Sequence, residues 1–290
     1  STNDNRHIHG ASKNNTNNDS NDHPKTEGRR NSRDHVDELV AAKNGLLRRP
    51  KTYDEFGLHA EDATHSYFGL FDGVNVWRKH KTVPAYYSFA HVLSAFAKDR
   101  LLTYDSTDPY RMSSALEGAV QRIVKKGYKG SCTVLLGAIN NETGMLTSVS
   151  VGDSIFVVIR DQEVHFRLPA QETGFNSPLQ VGHHPQASVA SKHALETHLQ
   201  LIPGDVIVAG TDGLWDNVDD EGLFECMEEA KHHENGFSTD TLASVILDKA
   251  IKNTSNPHKV TPWSRAASKE YDQNLKGGKP DDVTVLVLTL

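Results

Sequence analysis

Six short runs rich in Val, Ile, Leu, Phe and Thr, at residues 67–71, 133–139, 146–151, 155–160, 206–211 and 283–290, set the strongest limit on what this chain can become. Runs of this length and composition, bounded by turn residues, suit a pleated surface buried on at least one side. Between them, apolar residues recur at helical spacing. Phe89, Val92, Leu93 and Phe96 predict one helix, Met112, Leu116, Ala119, Val120 and Ile123 a second, and Leu242, Val245 and Ile246 a third. Gly152-Asp153-Ser154 and Asp161-Gln162-Glu163 separate successive runs, which predicts consecutive antiparallel strands joined by tight turns. Helical patterns on both sides of the strands predict sheets sandwiched between helices.

Residues 1–35 are different in kind. They are rich in Asn, Asp, Ser, His and Arg, with too few apolar side chains to offset the entropy of ordering, and are expected to form a flexible low-complexity tail. Residues 36–290 contain no Pro/Gly/Ser-rich linker and no internal repeat, so one domain is expected there. At 290 residues and 37% hydrophobic, the chain can bury a sizeable core. A net charge of -7, from 31 basic and 38 acidic residues, argues against a general footprint for nucleic acid or an anionic membrane. No apolar run approaches the length of a membrane span. Cys132 and Cys226 lack partners at zinc-ligand spacing, which indicates neither a disulfide framework nor a structural zinc and favours a reducing compartment. An intracellular monomer is therefore expected, in cytoplasm or nucleus, with the mitochondrion left open.

Three apolar runs end in the same way. An aspartate closes Phe71-Asp72-Gly73, Val151-Gly152-Asp153 and Thr211-Asp212-Gly213, and a fourth acidic pair, Asp281-Asp282, begins the last run. Taken singly, each reads as a turn, because Asp accepts local backbone hydrogen bonds and Gly follows it readily. Together, rigid strand ends would hold carboxylates at the edge of a buried sheet. If they converge, each close pair repels by about 4 kcal/mol at 4 Å with an effective dielectric near 20, and a bound cation turns that repulsion into attraction. Oxygen donors without matched Cys or His select hard ions such as Mg or Mn, and Gly73 leaves its carbonyl free to turn toward one.

The same residues carry a family resemblance. Glu61-Asp62-Ala63, Phe71-Asp72-Gly73, Gly130-Ser131-Cys132-Thr133, Val151-Gly152-Asp153-Ser154, Thr211-Asp212-Gly213-Leu214-Trp215-Asp216 and Pro280-Asp281-Asp282-Val283-Thr284-Val285 follow one another in a known order. From Glu61 to Leu290 the chain resembles the type 2C metal-dependent serine/threonine protein phosphatases, and within them the divergent eukaryotic branch with Asp-Gly-Val at the first metal motif. The resemblance implies an α+β fold, a four-layer α/β/β/α sandwich with two central, mainly antiparallel sheets and a metal cleft at one end. It implies a phosphoprotein substrate and two Mg or Mn ions. Asp72 would bridge both ions, the Gly73 carbonyl would ligate one, and Asp212 and Asp281 the other, with Glu61 and Asp62 holding metal-bound waters. Asp153, Asp212 and Asp216 would form a weaker third site, although Asp216 reads equally as a cap for the next helix. A water bridging the ions would attack phosphorus directly, with no phosphoenzyme.

The pattern is not complete. Gly57 stands four residues before Glu61, where most relatives have a phosphate-gripping arginine, and Val74 stands where many place a histidine. Asn75-Val76 adds bulk before Trp77. These departures keep a second reading open, a catalytically impaired relative acting as a binding or regulatory module. A third, a phosphoesterase of small molecules, stays open because the motifs specify metals rather than the leaving group.

Overall fold

The computed structural model describes residues 55–74, 89–103, 111–184, 193–234 and 236–290. The tail expected at residues 1–35 lies outside the described residues, as do Asn75, Val76, Trp77 and the basic cluster with His80 that follows them.

Two antiparallel sheets form the centre. The first runs β1 (Glu55–Glu61), β2 (His65–Gly73), β3 (Ser131–Asn140), β4 (Met145–Val151), β10 (Leu195–Gln200), with the short β9 (Val181–Gly182) also paired to β3. The second runs β12 (Val285–Thr289), β11 (Val206–Gly210), β5 (Ile155–Arg160), β6 (Glu163–Arg167). A separate hairpin pairs β7 (Glu172–Gly174) with β8 (Ser177–Pro178).

The two-residue period of each strand assigns the layers. Along β2, Tyr67 and Phe71 pack with the helices α1 (Phe89–Thr103) and α2 (Arg111–Lys125), while Phe68 and Leu70 join a different cluster with Leu135, Phe156, Val158, Ile207 and Ala209. That second cluster combines residues from both sheets and is the layer between them. On the far side, Val157, Ile159, Val206 and Val208 pack with α4 (Asp220–Lys231) and α5 (Thr239–Thr254). The result is the expected α/β/β/α sandwich. Phe68 and Phe156 meet edge to face in the middle layer, with ring centroids 6.4 Å apart, and each such fully buried aromatic or leucine stabilises the fold by about 1.5–3 kcal/mol.

The helices begin where local chemistry dictates. Asp219 caps α4 by accepting from the Gly222 amide at 3.1 Å, so the acidic stretch 219–221 serves that helix's positive end. Ser238 caps α5, and a Thr261/Ser264 capping box with Pro262 at the first position starts α6 (Pro262–Tyr271). A single turn, α3 (Asp212–Trp215), follows β11 directly.

One local expectation is corrected. β4 and β5 are consecutive but do not pair, because Gly152-Asp153-Ser154 carries the chain from the first sheet to the second. Gly152 makes the crossing with φ +108°, and a Cβ there would lie 2.6 Å from the Leu179 carbonyl oxygen and 2.7 Å from Thr133. The next connection, β5 to β6, is a hairpin, turned by Asp161 and Gln162 with φ of 51° and 62°.

The second sheet is tied at its lower end by Asp205, wholly buried just before β11. Its carboxylate accepts from Arg160 Nε at 2.8 Å, Arg160 Nη2 at 2.7 Å and the Ile202 amide at 2.9 Å. No helix among the described residues is long and apolar enough to cross a membrane.

Candidate metal centre

The sheets deliver their acidic ends to one cleft. Asp72 is the penultimate residue of β2, on the alternation of Phe68 and Leu70 that faces the second sheet. Asp212 opens α3 at the end of β11, and Asp281 and Asp282 come just before β12. The Thr211 amide donates to the Thr284 carbonyl at 3.2 Å, and the Thr284 amide to Thr211 Oγ1 at 3.1 Å, which fixes those two segments side by side. Gly213 is needed for that approach, since a Cβ there would stand 2.0 Å from the Asp282 carbonyl oxygen. Asp72, Gly73, Asp212, Asp281 and Asp282 line a cleft of about 480 Å³ together with Lys279.

A hairpin borders it. Thr173, Asn176 and Ser177 of the β7–β8 hairpin form part of the wall, with Asn176 turning the hairpin at φ 53°. The tip is braced from outside the cleft, where the Phe175 ring lies 6.4 Å from Trp263 and 5.7 Å from Tyr271, both on α6. The Trp263 amide in turn donates to the Asp216 carbonyl at 3.0 Å.

Lys279 stands at the centre of the acidic group. Its ammonium lies 2.5 Å from Asp212 Oδ2, 2.8 Å from Asp216 Oδ2 and 3.4 Å from Asp281 Oδ2. Burial works against its charge, but the Asp212 and Asp216 carboxylates outweigh that and raise its pKa well above the ordinary lysine value. Asp216 therefore does not cap the helix that follows. Asp219 has that role, and Asp216 points its carboxylate at Lys279.

Whether these residues suit a divalent ion can be judged from atoms already in place. No three His, Cys, Asp or Glu side chains among the described residues stand close enough together to hold a metal ion as they are. What gathers them is an ammonium group, so the location already favours positive charge. Two buried carboxylate oxygens, Asp212 Oδ1 and Asp153 Oδ1, accept no hydrogen bond, which is costly unless a cation completes them. Burial, then repulsion from Asp212, pushes the Asp153 carboxyl up to about 7, and burial pushes Asp216 up to about 6. Asp281 is raised for the same reasons as Asp153. An all-oxygen donor set with unsatisfied lone pairs fits a hard ion such as Mg or Mn.

Those shifts fix a pH dependence for the chelator-stripped protein. A carboxyl whose pKa rises on folding stabilises the fold below its unfolded value near 4, and that contribution is lost as pH climbs through the folded values near 6 and 7. In EDTA, the unfolding free energy measured by urea denaturation is expected to fall between pH 5 and pH 8, by an amount on the order of a few kcal/mol, and less steeply in Asp153→Asn. Equal slopes in the two proteins would remove Asp153 as the source.

Glu61 and Asp62 are not brought to this cleft. In the β1–β2 hairpin Glu61 pairs with Ser66, whereas Asp72 pairs with Glu55. Six residues of β2 separate the two rungs, about 20 Å along the strand. Asp62 is consumed locally. It accepts from Tyr67 Oη at 2.6 Å, the Thr64 amide at 2.8 Å, the His65 amide at 2.9 Å and Arg111 Nη2 at 3.0 Å, and although burial opposes its charge these bonds hold its pKa well below the usual carboxylate range. It is a knot tying the hairpin to α2. The missing arginine inferred at Gly57 depended on the same placement and falls with it. Glu55, which sequence reasoning passed over, occupies the register position beside Asp72. The signal was available, since Asp54-Glu55 is a second acidic pair 18 and 17 residues before Asp72.

The chain is similar to several known proteins. A family profile described as Stage II sporulation protein E (SpoIIE) matches residues 83–290. The "Protein phosphatase PTC7 homolog" of Xenopus laevis is 28% identical over 259 residues, covering 85% of this chain and 84% of its own. The "Putative protein phosphatase 2C 24" of Oryza sativa subsp. japonica is 31% identical over 218 residues, covering 75% of this chain and 67% of its own. Among solved structures, the photosystem II phosphatase PBCP superposes with a TM-score of 0.69 at 25% identity, over 82% of this chain and 91% of that one.

Proposed function

This chain belongs to the metal-dependent PPM/PP2C-type protein phosphatase family, and from that premise we propose that it hydrolyses phosphoserine and phosphothreonine in proteins by direct attack of water, within one catalytic domain spanning residues 36–290. The observation that carries this reading is the convergence of Asp72 from one sheet with Asp212 and Asp281 from the other on a single cleft. Asp72, the Gly73 carbonyl, Asp212 and Asp281 would hold two ions, and Asp153, Asp212 and Asp216 a weaker third. Glu55 replaces Glu61 and Asp62 as the acidic residue beside Asp72, on the strength of its register. When bound, Mg or Mn supplies an acidified water and positive charge toward the phosphoryl oxygens.

The chain's own groups do the remaining work. The paired Thr211 and Thr284 bonds and the closely packed Gly213 hold Asp212 and Asp281 at fixed separation, so no reorganisation is needed when charge develops. The hairpin bearing Asn176 and Ser177 borders the cleft and restricts which phosphorylated side chain reaches the floor.

The catalytically impaired alternative draws on Val74 and on the ammonium already seated among the carboxylates. One assay separates the readings. Phosphate release from a phosphothreonine peptide is expected to require Mn, to stop in EDTA, and to exceed release from a small aryl phosphate at equal concentration. No Mn-dependent release from either would favour the impaired relative, and a preference for the aryl phosphate would favour a small-molecule phosphoesterase.

A further inference from the structure

We propose that Lys279 is a built-in counter-cation of the metal centre, which an arriving divalent ion must displace from Asp212, Asp216 and Asp281, so that this lysine sets how tightly the centre holds metal. The inference rests on the assignment of those aspartates as ligands.

The placement of Lys279 is constructed from the backbone upward. Its amide donates to Asn217 Oδ1 at 3.0 Å, and its carbonyl accepts from Asn217 Nδ2 at 3.0 Å. Asn217 is itself buried. Its amide group also donates to the Gly213 carbonyl at 2.8 Å, and its backbone carbonyl accepts from Asn253 at 2.8 Å. The preceding Gly278 permits this fit, because a Cβ there would meet Asn253 O at 2.4 Å and Asn217 Oδ1 at 2.5 Å. Main chain on both sides of the lysine is thus locked to the turn that carries Asp212. Only the flexible four-carbon stem is free to move, and it ends among three carboxylates.

An ammonium and a hard divalent ion seek the same oxygens, so each weakens the other at this location. Because they compete for one donor set, their free energies are coupled with negative sign, and the coupling is reciprocal. Asp212 shows the consequence within one carboxylate. Its Oδ2 is taken by Lys279 at 2.5 Å, while its Oδ1 is buried without a partner. The lysine neutralises part of the acidic group and leaves the rest unsatisfied. Without metal it spares the fold most of the repulsion between carboxylates; with metal it is a competitor.

The two roles predict opposite signs in one substitution, which a merely structural lysine would not give. Full-length wild type and Lys279→Met, both chelator-stripped, are titrated with Mn by calorimetry, and their melting temperatures are read in EDTA and in saturating Mn. Lys279→Met is expected to bind Mn at least about tenfold more tightly, to melt lower than wild type in EDTA, and to gain more on adding Mn. Lys279→Gln has the same expectation and replaces it if Lys279→Met does not fold. Unchanged or weaker Mn binding, with wild type binding normally, overturns the proposal. If neither wild type nor variant binds Mn, the ligand assignment itself fails and takes the proposal with it.

Discussion

Replacing Asp212 by asparagine is expected to lower Mn-dependent phosphate release from a phosphothreonine peptide by about 10³-fold or more, the effect of removing roughly 4 kcal/mol of transition-state stabilisation. Asp212 is the residue on which the site turns. It takes the shortest contact from Lys279, presents a second oxygen with no partner, and opens a one-turn helix that Gly213 presses against Asp282. Asparagine keeps the shape and the helix start but halves the oxygen donors and removes the charge. Far-UV circular dichroism is therefore expected to be unchanged, which separates lost chemistry from lost structure. A rate within tenfold of wild type would take Asp212 out of the centre.

The largest expected loss of stability lies elsewhere, at Asp205. Its carboxylate is wholly buried and receives a two-pronged contact from Arg160 as well as the Ile202 amide, and the Arg160 hydrogen bonds hold its pKa below the usual range. Asp205→Ala leaves the Ile202 amide without its acceptor and the partly exposed Arg160 without its carboxylate, and because solvent and the Gln200 carbonyl still serve the guanidinium the cost is about 3 kcal/mol, the lower end for breaking such a pair. For a domain of this size that is a fall in melting temperature of roughly 10 °C. Urea denaturation measures it, and a loss under about 1 kcal/mol would mean that water takes the place of the carboxylate. Because Asp205 sits at the end of β11 remote from Asp212, Mn affinity measured at low temperature is expected to be unaffected.

The strands and the helices flanking them were legible from two periods, whereas the division into two sheets and four layers came from the family resemblance. Apolar pairs such as Phe68/Leu70 and Tyr67/Phe71 fall on opposite faces of one strand, so a strand without polar residues on either face had to lie between two apolar layers. Helices α1 and α2 announced themselves through Val92, Leu93, Leu116 and Ile123 at helical spacing. The crossing from β4 to β5 was not legible, since Gly-Asp-Ser suits a hairpin as well as a change of sheet, and only the contact of Gly152 with Thr133 and Leu179 decides it. Asp72, Asp212 and Asp281 could be read from strand ends. Glu61-Asp62 could not be excluded without the register of β1 against β2, because two acidic pairs precede Asp72 and spacing alone favours neither. Lys279 escaped notice for a simpler reason. A lone lysine beside two aspartates reads as an ordinary surface charge, and nothing in the sequence reveals that Asn217 aims it inward.

The cleft's two walls belong to different sheets, Asp72 to one and Asp212 and Asp281 to the other. Any ligand that grips both walls is a cross-tie between layers, and a change that alters their spacing at the cleft is coupled to binding by the same free energy in either direction. Phe68 and Phe156, packed edge to face in the middle layer, are not among the residues that line the cleft. They belong to the layer that holds the two sheets apart, as sleepers hold the rails whose spacing decides which axle can run on them.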